Sequence, residues 1–456
     1  MDNAIATRSN GIVILLPMVA VLLFVMNATP YVPLQDYNEW VYQGFITSQL
    51  LHGHLSDRFL VALFPVPNSA VQVLLALLCA VMPAAIAAQV LASLYVVAAA
   101  TLAWLLSMKI APAQNGGLCF LLLICVYFNS PFWNGYMNYQ LGILLFSVWL
   151  LLDPAARRKP LWVFAFTIAA FFTHAMIWAS LMLLVAIDAL RQRQIPLVLR
   201  PLAAWPALAS LGLFGWYAAC KHTPMMPDPH ANAGLLHAVG YKLYTLAKLG
   251  PYHNFAYAGD ARDAFHMALY YLGCAVNFAF AAALVYLLWG AFARPLLLRG
   301  GWRTASPEQL GALALIVVSL SMPAVIADLV NPGERVMYPA LLLALSSLRG
   351  ERAAQAARMA RWLALAIVVL VASALGLAAN GARLLPDPSA ADMWSSRTPP
   401  FFLSRPGAYH DVQSILNGEA SVRKVAFETG YLFNRQPATH APTQVRTEDQ
   451  TQSAAD

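Results

Sequence analysis

Two carboxylates three residues apart, Asp36 and Glu39 in PLQDYNEW, follow the first long apolar run of the chain. In a sequence that is 60% hydrophobic and 11% charged, such a pair has two uses. A carboxylate within hydrogen-bond reach of a hydroxyl can take its proton and turn it into a nucleophile. An acceptor followed three residues later by a carboxylate is also a helix capping box, with Asp36 as cap and Glu39 closing back. Spacing alone leaves both open. Position argues for chemistry: just after a first membrane span, at the mouth of a funnel, a general base would meet a lipid-borne substrate.

Five other groups have side chains that recognise sugar phosphates. Arg335, in NPGERVMYPALLLAL, follows the turn residues Asn331, Pro332 and Gly333 and begins a short helix. A guanidinium there can fork onto two phosphate oxygens, or snorkel to an interface and pair with Glu334 or Asp328. His174, in FFTHAMIWA, is a lone polar residue among apolar ones, fit for a packing hydrogen bond or for binding phosphate or sugar. Trp133, Asn134 and Asn138, in NSPFWNGYMNYQ, can line a sugar subsite by stacking and amide hydrogen bonds, or form a plain hairpin tip. His52 and His54, in HGHLSDR, could hold a metal or lie in a solvated turn. Lys242 and Tyr244 stand among further basic and aromatic residues between Lys221 and Arg262. That mixture suits a headgroup or sugar phosphate, and equally an interfacial belt.

The frame for these residues is a membrane bundle. Mean hydropathy of +0.60 over 456 residues, with several nearly uncharged runs of eighteen or more, excludes a soluble globule. The runs are continuous and do not alternate, so helices are expected and not a barrel. The basic turns at 157–159, 191–200, 294–303 and 349–361 are assigned to the cytoplasmic side, together with the N-terminus and Lys109. Eleven spans follow, at 11–28, 84–108, 117–129, 135–153, 160–173, 176–190, 201–221, 264–293, 309–327, 335–348 and 361–383. The inner segments then carry 15 Lys and Arg against six in the outer loops before the tail.

The expected fold class is all-α: a polytopic bundle of about 11 spans over residues 1–384, N-terminus inside and C-terminus outside. Residues 385–456 form a short extracytoplasmic tail whose polar end is expected to be disordered. The segment 69–83, SAVQVLLALLCAVMP, is apolar but only some fifteen residues long and is expected as a half-inserted or interfacial helix of the first outer loop. The run from Gly11 to Val25 is expected as a retained span, not a cleaved signal. Five cysteines show no spacing for a disulfide framework or a zinc site. The excess of Arg over Lys, with abundant Ala and Leu, points to a GC-rich bacterial genome, so a bacterial cytoplasmic membrane is the expected location.

Two hairpins are short. Runs of about fourteen residues reach about 21 Å, against a hydrocarbon core of about 30 Å. Their tips, Asn129–Asn134 and Thr173–His174, would then sit below the outer surface and open a funnel.

A first span, a large outer loop opening with an Asp, interfacial helices and many short spans resemble the GT-C-type glycosyltransferases. The segments that carry the likeness are VPLQDYNEW, FPVPNSAVQVLLALL, NSPFWNGYMNYQLGILLF and FFTHAMIWA, all within about the first 190 residues. The resemblance implies an inverting transfer of a sugar from a polyprenyl-phosphate donor to a lipid- or glycan-linked acceptor on the extracytoplasmic face. It makes Asp36 the base, and lets Glu39 hold the acceptor or a divalent cation, no other cofactor being implied. Many members carry two adjacent acids or a second acid in a later loop, where this chain has a split pair. Expected partners are the lipid-linked sugar, the acceptor and membrane lipids, with no nucleic acid.

The chain has no Gly-rich phosphate loop and no Ser–His–Asp pattern, which disfavours a cytosolic nucleotide-driven reaction. Three other functions stay open: a lipid or oligosaccharide flippase, a polymerase or ligase of lipid-linked polysaccharide, and a non-catalytic scaffold. Transporters concentrate ionisable groups deep in their spans. Here Asp153 and Asp188 lie near inner helix ends.

Overall fold

The structure, a computed structural model, describes residues 2–28, 32, 34, 37–53, 59–112, 115–192, 195–220, 234–247, 249, 264–298, 301–326, 329–362 and 433–435. It is mostly helical, with strands only two or three residues long among the described residues. The chain begins with α1 (Asp2–Asn27), α2 (Tyr37–Leu51), strand β1 (Phe59–Val61), α3 (Ala70–Cys79) and α4 (Ala84–Ile110). Then come α5 (Asn115–Leu122), widened into a π-turn over Leu123–Tyr127, α6 (Ser130–Trp133) and α7 (Met137–Leu151). Next are α8 (Pro154–Arg157), α9 (Pro160–Thr173), α10 (Ala175–Leu190), a 3-10 stretch (Leu197–Ala207) and α11 (Leu208–Cys220). Further on lie α12 (Leu235–Ala247), α13 (Ala264–Leu288), α14 (Arg294–Leu298) and α15 (Pro307–Ser321). The short strands β2 (Val325–Ile326) and β3 (Leu329–Val330) lead into α16 (Pro332–Ser346) and α17 (Gly350–Trp362), and β4 is Phe433–Arg435.

Proline and capping residues set the helix starts. Pro160, Pro307 and Pro332 each open a helix, where a missing N–H costs nothing. Ser306 and Gln309 close a capping box on α15. The Asn129 side chain caps α6 by accepting from the Phe132 N–H at 3.0 Å.

The helices run between two ends of the bundle. At one end, Lys109 donates to the last carbonyls of α7, those of Leu150, Leu151 and Leu152, at 3.0, 2.9 and 3.2 Å. Beside it Arg157 pairs with Glu308 at 2.7 Å, and Arg158 holds Asp188 through two bonds of 3.0 Å. Arg191 closes this end by donating to the carbonyls of Arg303 and Ala305. The basic turns assigned to one side from the sequence therefore meet. The ends of α4, α7 and α10 lie there with the starts of α9 and α15, so α7, α9 and α10 alternate in direction along the chain.

Among the described residues one helix, Ala84–Ile110, is long and apolar enough by itself to cross a membrane. Eight further apolar helices are shorter, of 10–17 residues, from Leu15–Asn27 to Pro307–Ser321. Large apolar side chains point outward along several of them, among them Leu94, Leu161, Phe164, Trp216, Tyr286 and Val317. The interior holds fully buried aromatics such as Tyr95, Tyr127, Phe146 and Tyr338.

Some segments depart from expectation. Residues 349–361 are not a turn: most of them form α17, because Ala353, Ala356 and Ala357 make one buried face that packs on α5. The approach is close enough that a Cβ on Gly117 would lie 2.5 Å from the carbonyl of Ala357. The span expected at 361–383 lies outside the described residues beyond Trp362. The span expected at 309–327 stops at Ser321, and the β2–β3 hairpin follows. Helix α3 has 10 residues, about 15 Å, and lies mainly against α2.

Candidate functional site

The other end of the bundle gathers the start of α7, the α9–α10 tip and the start of α16. His174 ends α9 and caps α10, its Nδ1 accepting from the Met176 N–H at 3.1 Å. Its Nε2 stands 3.1 Å from a guanidinium nitrogen of Arg335. Burial first, and the positive charge of Arg335 second, push its pKa well below the usual imidazole range, so the ring is neutral. A neutral imidazole has one N–H and one lone-pair nitrogen. The helix cap occupies Nδ1 as acceptor, so Nε2 carries the hydrogen. Two donors then face each other, and an acceptor that meets both resolves the conflict. An oxyanion is such an acceptor.

The rest of the site fixes this pair. The Tyr136 ring lies beneath the guanidinium, 4.5 Å from its centroid, in cation–π geometry. The Tyr139 hydroxyl donates to the Arg335 carbonyl at 2.7 Å, while its ring meets His174 edge-on at 5.1 Å. Arg335 sits in the first turn of α16 because Asn331 takes a left-handed backbone, φ 53°, just before Pro332. Gly333 then lies so near α15 that a Cβ would stand 2.6 Å from the Ser319 carbonyl. The Ser319 hydroxyl donates to the Gly333 carbonyl at 2.6 Å.

Lys242 is spent on the same corner. It donates to the carbonyls of Ser319 and Met322, which end α15 with no further helical turn to bond them. Burial lowers its pKa. Its neighbour Tyr241 donates to the Asn331 side chain, so α12 is pinned over the turn that launches Arg335.

A second polar line joins the first long loop to this place. Gln72 donates to Gln43 at 3.2 Å, and Asn138 donates to Gln72 at 3.0 Å. The Asn138 carbonyl oxygen in turn accepts from the Val71 N–H at 2.8 Å, capping α3. All three side chains are buried. Asn68 and Ser69 fasten the same loop to the α9–α10 tip, through the Ala175 N–H and the Phe172 carbonyl. A third network supports the Asn129 turn, where Tyr95 donates to Gln140 at 2.7 Å and Gln140 to Asn129 at 2.6 Å.

Of the residues singled out from sequence, Arg335 and His174 are brought together and Lys242 supports them. Asn138 uses both amide heavy atoms inside the fold, where it clamps α3. Trp133 is 2% exposed and meets Phe132 edge-on at 5.0 Å, so its ring is packed inside the fold. Asn134 is buried at 8% exposure, bonded to Ser130, and its carbonyl oxygen has no partner. Asp36 and His54 lie outside the described residues. Glu39 and Tyr244 stand on α2 and α12, with side chains outside the description.

Sequence reasoning missed Tyr136, Tyr139, Gln43 and Gln72. The signal available was the spacing of Tyr136 and Tyr139 around Asn138, and two glutamines inside apolar helices. Among the described residues no cluster of three His, Cys, Asp or Glu side chains could hold a metal ion. No family model matches this chain, and neither curated proteins nor solved structures give a match.

Proposed function

We propose that this chain is a multispanning membrane protein that recognises a lipid-linked phosphate at its His174–Arg335 end. The reaction is an inverting transfer of a sugar from a polyprenyl-phosphate donor to a lipid or glycan acceptor. One observation carries the phosphate: Nε2 of His174 stands 3.1 Å from the Arg335 guanidinium, and with Nδ1 spent on the helix cap both groups are donors that one oxyanion could meet. Charge-assisted donors at that point would stabilise the anion that develops as the lipid phosphate leaves.

Several features support the membrane frame of about 11 spans. Large apolar side chains face outward, and the basic turns share one end, as cytoplasmic turns would. Helices α7, α9, α15 and α16 have 14 or 15 residues, about 21–22 Å, some 8 Å less than a hydrocarbon core. With the basic end at one interface, the His174 end lies sunken in a funnel from the other side. Strand β4 of the tail pairs antiparallel with β1 of the first loop, Phe59 opposite Arg435, which agrees with a tail on that same outer side. The proposed location is a bacterial cytoplasmic membrane with the N-terminus inside.

Asp36 is the proposed base. Glu39, one turn before Gln43, is the proposed partner for the acceptor or for a divalent cation. The test is sugar transfer from a labelled polyprenyl-phosphate donor by the purified protein in nanodiscs. Asp36→Asn and Arg335→Gln should each abolish transfer while the protein still accumulates in the membrane. Full transfer in Asp36→Asn removes that residue as base. Labelled lipid that crosses vesicles without any transfer would make the protein a flippase.

A further inference from the structure

The basic end contains a cleft with a different character from the His174 site. It lies between the end of α7, α8, the start of α9 and the end of α10. Trp149, Arg157 and Arg158 line it with Asp188, and Val163 and Leu184 form an apolar wall. Arg158 is committed to Asp188 through two bonds, and one terminal nitrogen of Arg157 to Glu308. The Nε–H of Arg157 and the indole N–H of Trp149 are buried and have no hydrogen-bond partner. Buried donors left in this state cost free energy unless an acceptor reaches them.

Two orphan donors and two guanidinium groups beside an apolar wall make an amphipathic site for an oxyanion. The surrounding charge agrees: Arg157 and Arg349 stand near Lys109, and these three cations with Arg158 outnumber the carboxylates of Asp153, Asp188 and Glu308 by one. The neighbouring outward residues on α9, Leu161 and Phe164, are apolar and exposed, so the wall continues into a surface suited to acyl chains.

We infer that this cleft binds a phosphate-bearing anion, the headgroup of an anionic phospholipid or free phosphate, at the end opposite the His174 site. The site does not rest on glycosyl transfer. Full-length protein in neutral detergent, carrying Arg335→Gln to silence the other end, is titrated with short-chain phosphatidylglycerol, phosphatidylcholine or inorganic phosphate. Binding is read by native mass spectrometry and thermal shift. Phosphatidylglycerol should bind at least tenfold more tightly than phosphatidylcholine. Trp149→Phe removes one orphan donor but keeps the packing, and Arg157→Lys removes the other but keeps the charge opposite Glu308. Each should weaken binding at least fivefold with little change in ligand-free melting temperature. Binding of inorganic phosphate with equal strength would assign the site to a soluble anion. Equal binding of the two lipids with no response to phosphate, or unchanged binding in both variants, overturns the inference.

Discussion

Replacing His174 by Asn separates its two jobs. The side chain caps α10 through Nδ1 and faces Arg335 through Nε2. Asn is as good a cap as any residue, because its carbonyl oxygen can accept from the second N–H of the helix. It is too short to offer a second donor toward Arg335. The cap should therefore survive in His174→Asn, leaving about 1 kcal/mol of packing loss from the smaller side chain. His174→Ala should lose the cap as well, worth about 1 kcal/mol more. For anion binding both variants lose one charge-assisted hydrogen bond, about 1.5–3 kcal/mol, which is roughly 10- to 150-fold in affinity. The assay is isothermal titration of a soluble polyprenyl-phosphate analogue, with melting temperatures measured in parallel. If His174→Asn binds the analogue as the parent does, the imidazole is only a cap and the two-donor site is refuted.

Gly333→Ala should destabilise the protein by about 1–3 kcal/mol and weaken analogue binding, since the new Cβ would push α16 from the Ser319 carbonyl; urea unfolding and titration check both. Asn138→Ala should orphan the Val71 N–H and a Gln72 amide atom, at about 1–3 kcal/mol for each group, and expose the first loop to limited proteolysis. His174 is held neutral in the folded chain, with its pKa below the unfolded value of about 6.5. Its contribution to stability is complete above about pH 6.5 and is lost as pH falls toward the folded value, at up to about 1.4 kcal/mol per pH unit. Melting temperatures from pH 7.5 to 5 should show that slope in the parent and less of it in His174→Asn. Arg157→Gln should cost more than Arg157→Lys, because it leaves the Glu308 carboxylate without its cation at 2.7 Å.

Much of the frame was legible before the fold. Hydropathy marks the helices because each must hide an apolar face or meet lipid, and that demand is written residue by residue. The basic turns were readable for the same reason, being local in the chain, and Lys109, Arg157 and Arg191 do meet at one end. What local pattern could not give was α17, whose composition reads as a charged turn until α5 offers its alanine face a partner.

The site divides in the same way. Arg335 and His174 each stood out alone, as a guanidinium after a turn and a polar residue in an apolar run. Their partnership spans 161 residues, and a sequence holds no distance between such positions. Asn138 and Trp133 show the converse: residue types suited to a sugar were spent on packing and capping, since a buried amide must satisfy its donors and acceptors with whatever the fold brings near. Composition and periodicity thus determined the helical class and the candidate chemistry. Tertiary structure alone decided which candidates face one another, because hydrogen-bond donors are matched in space and not along the chain.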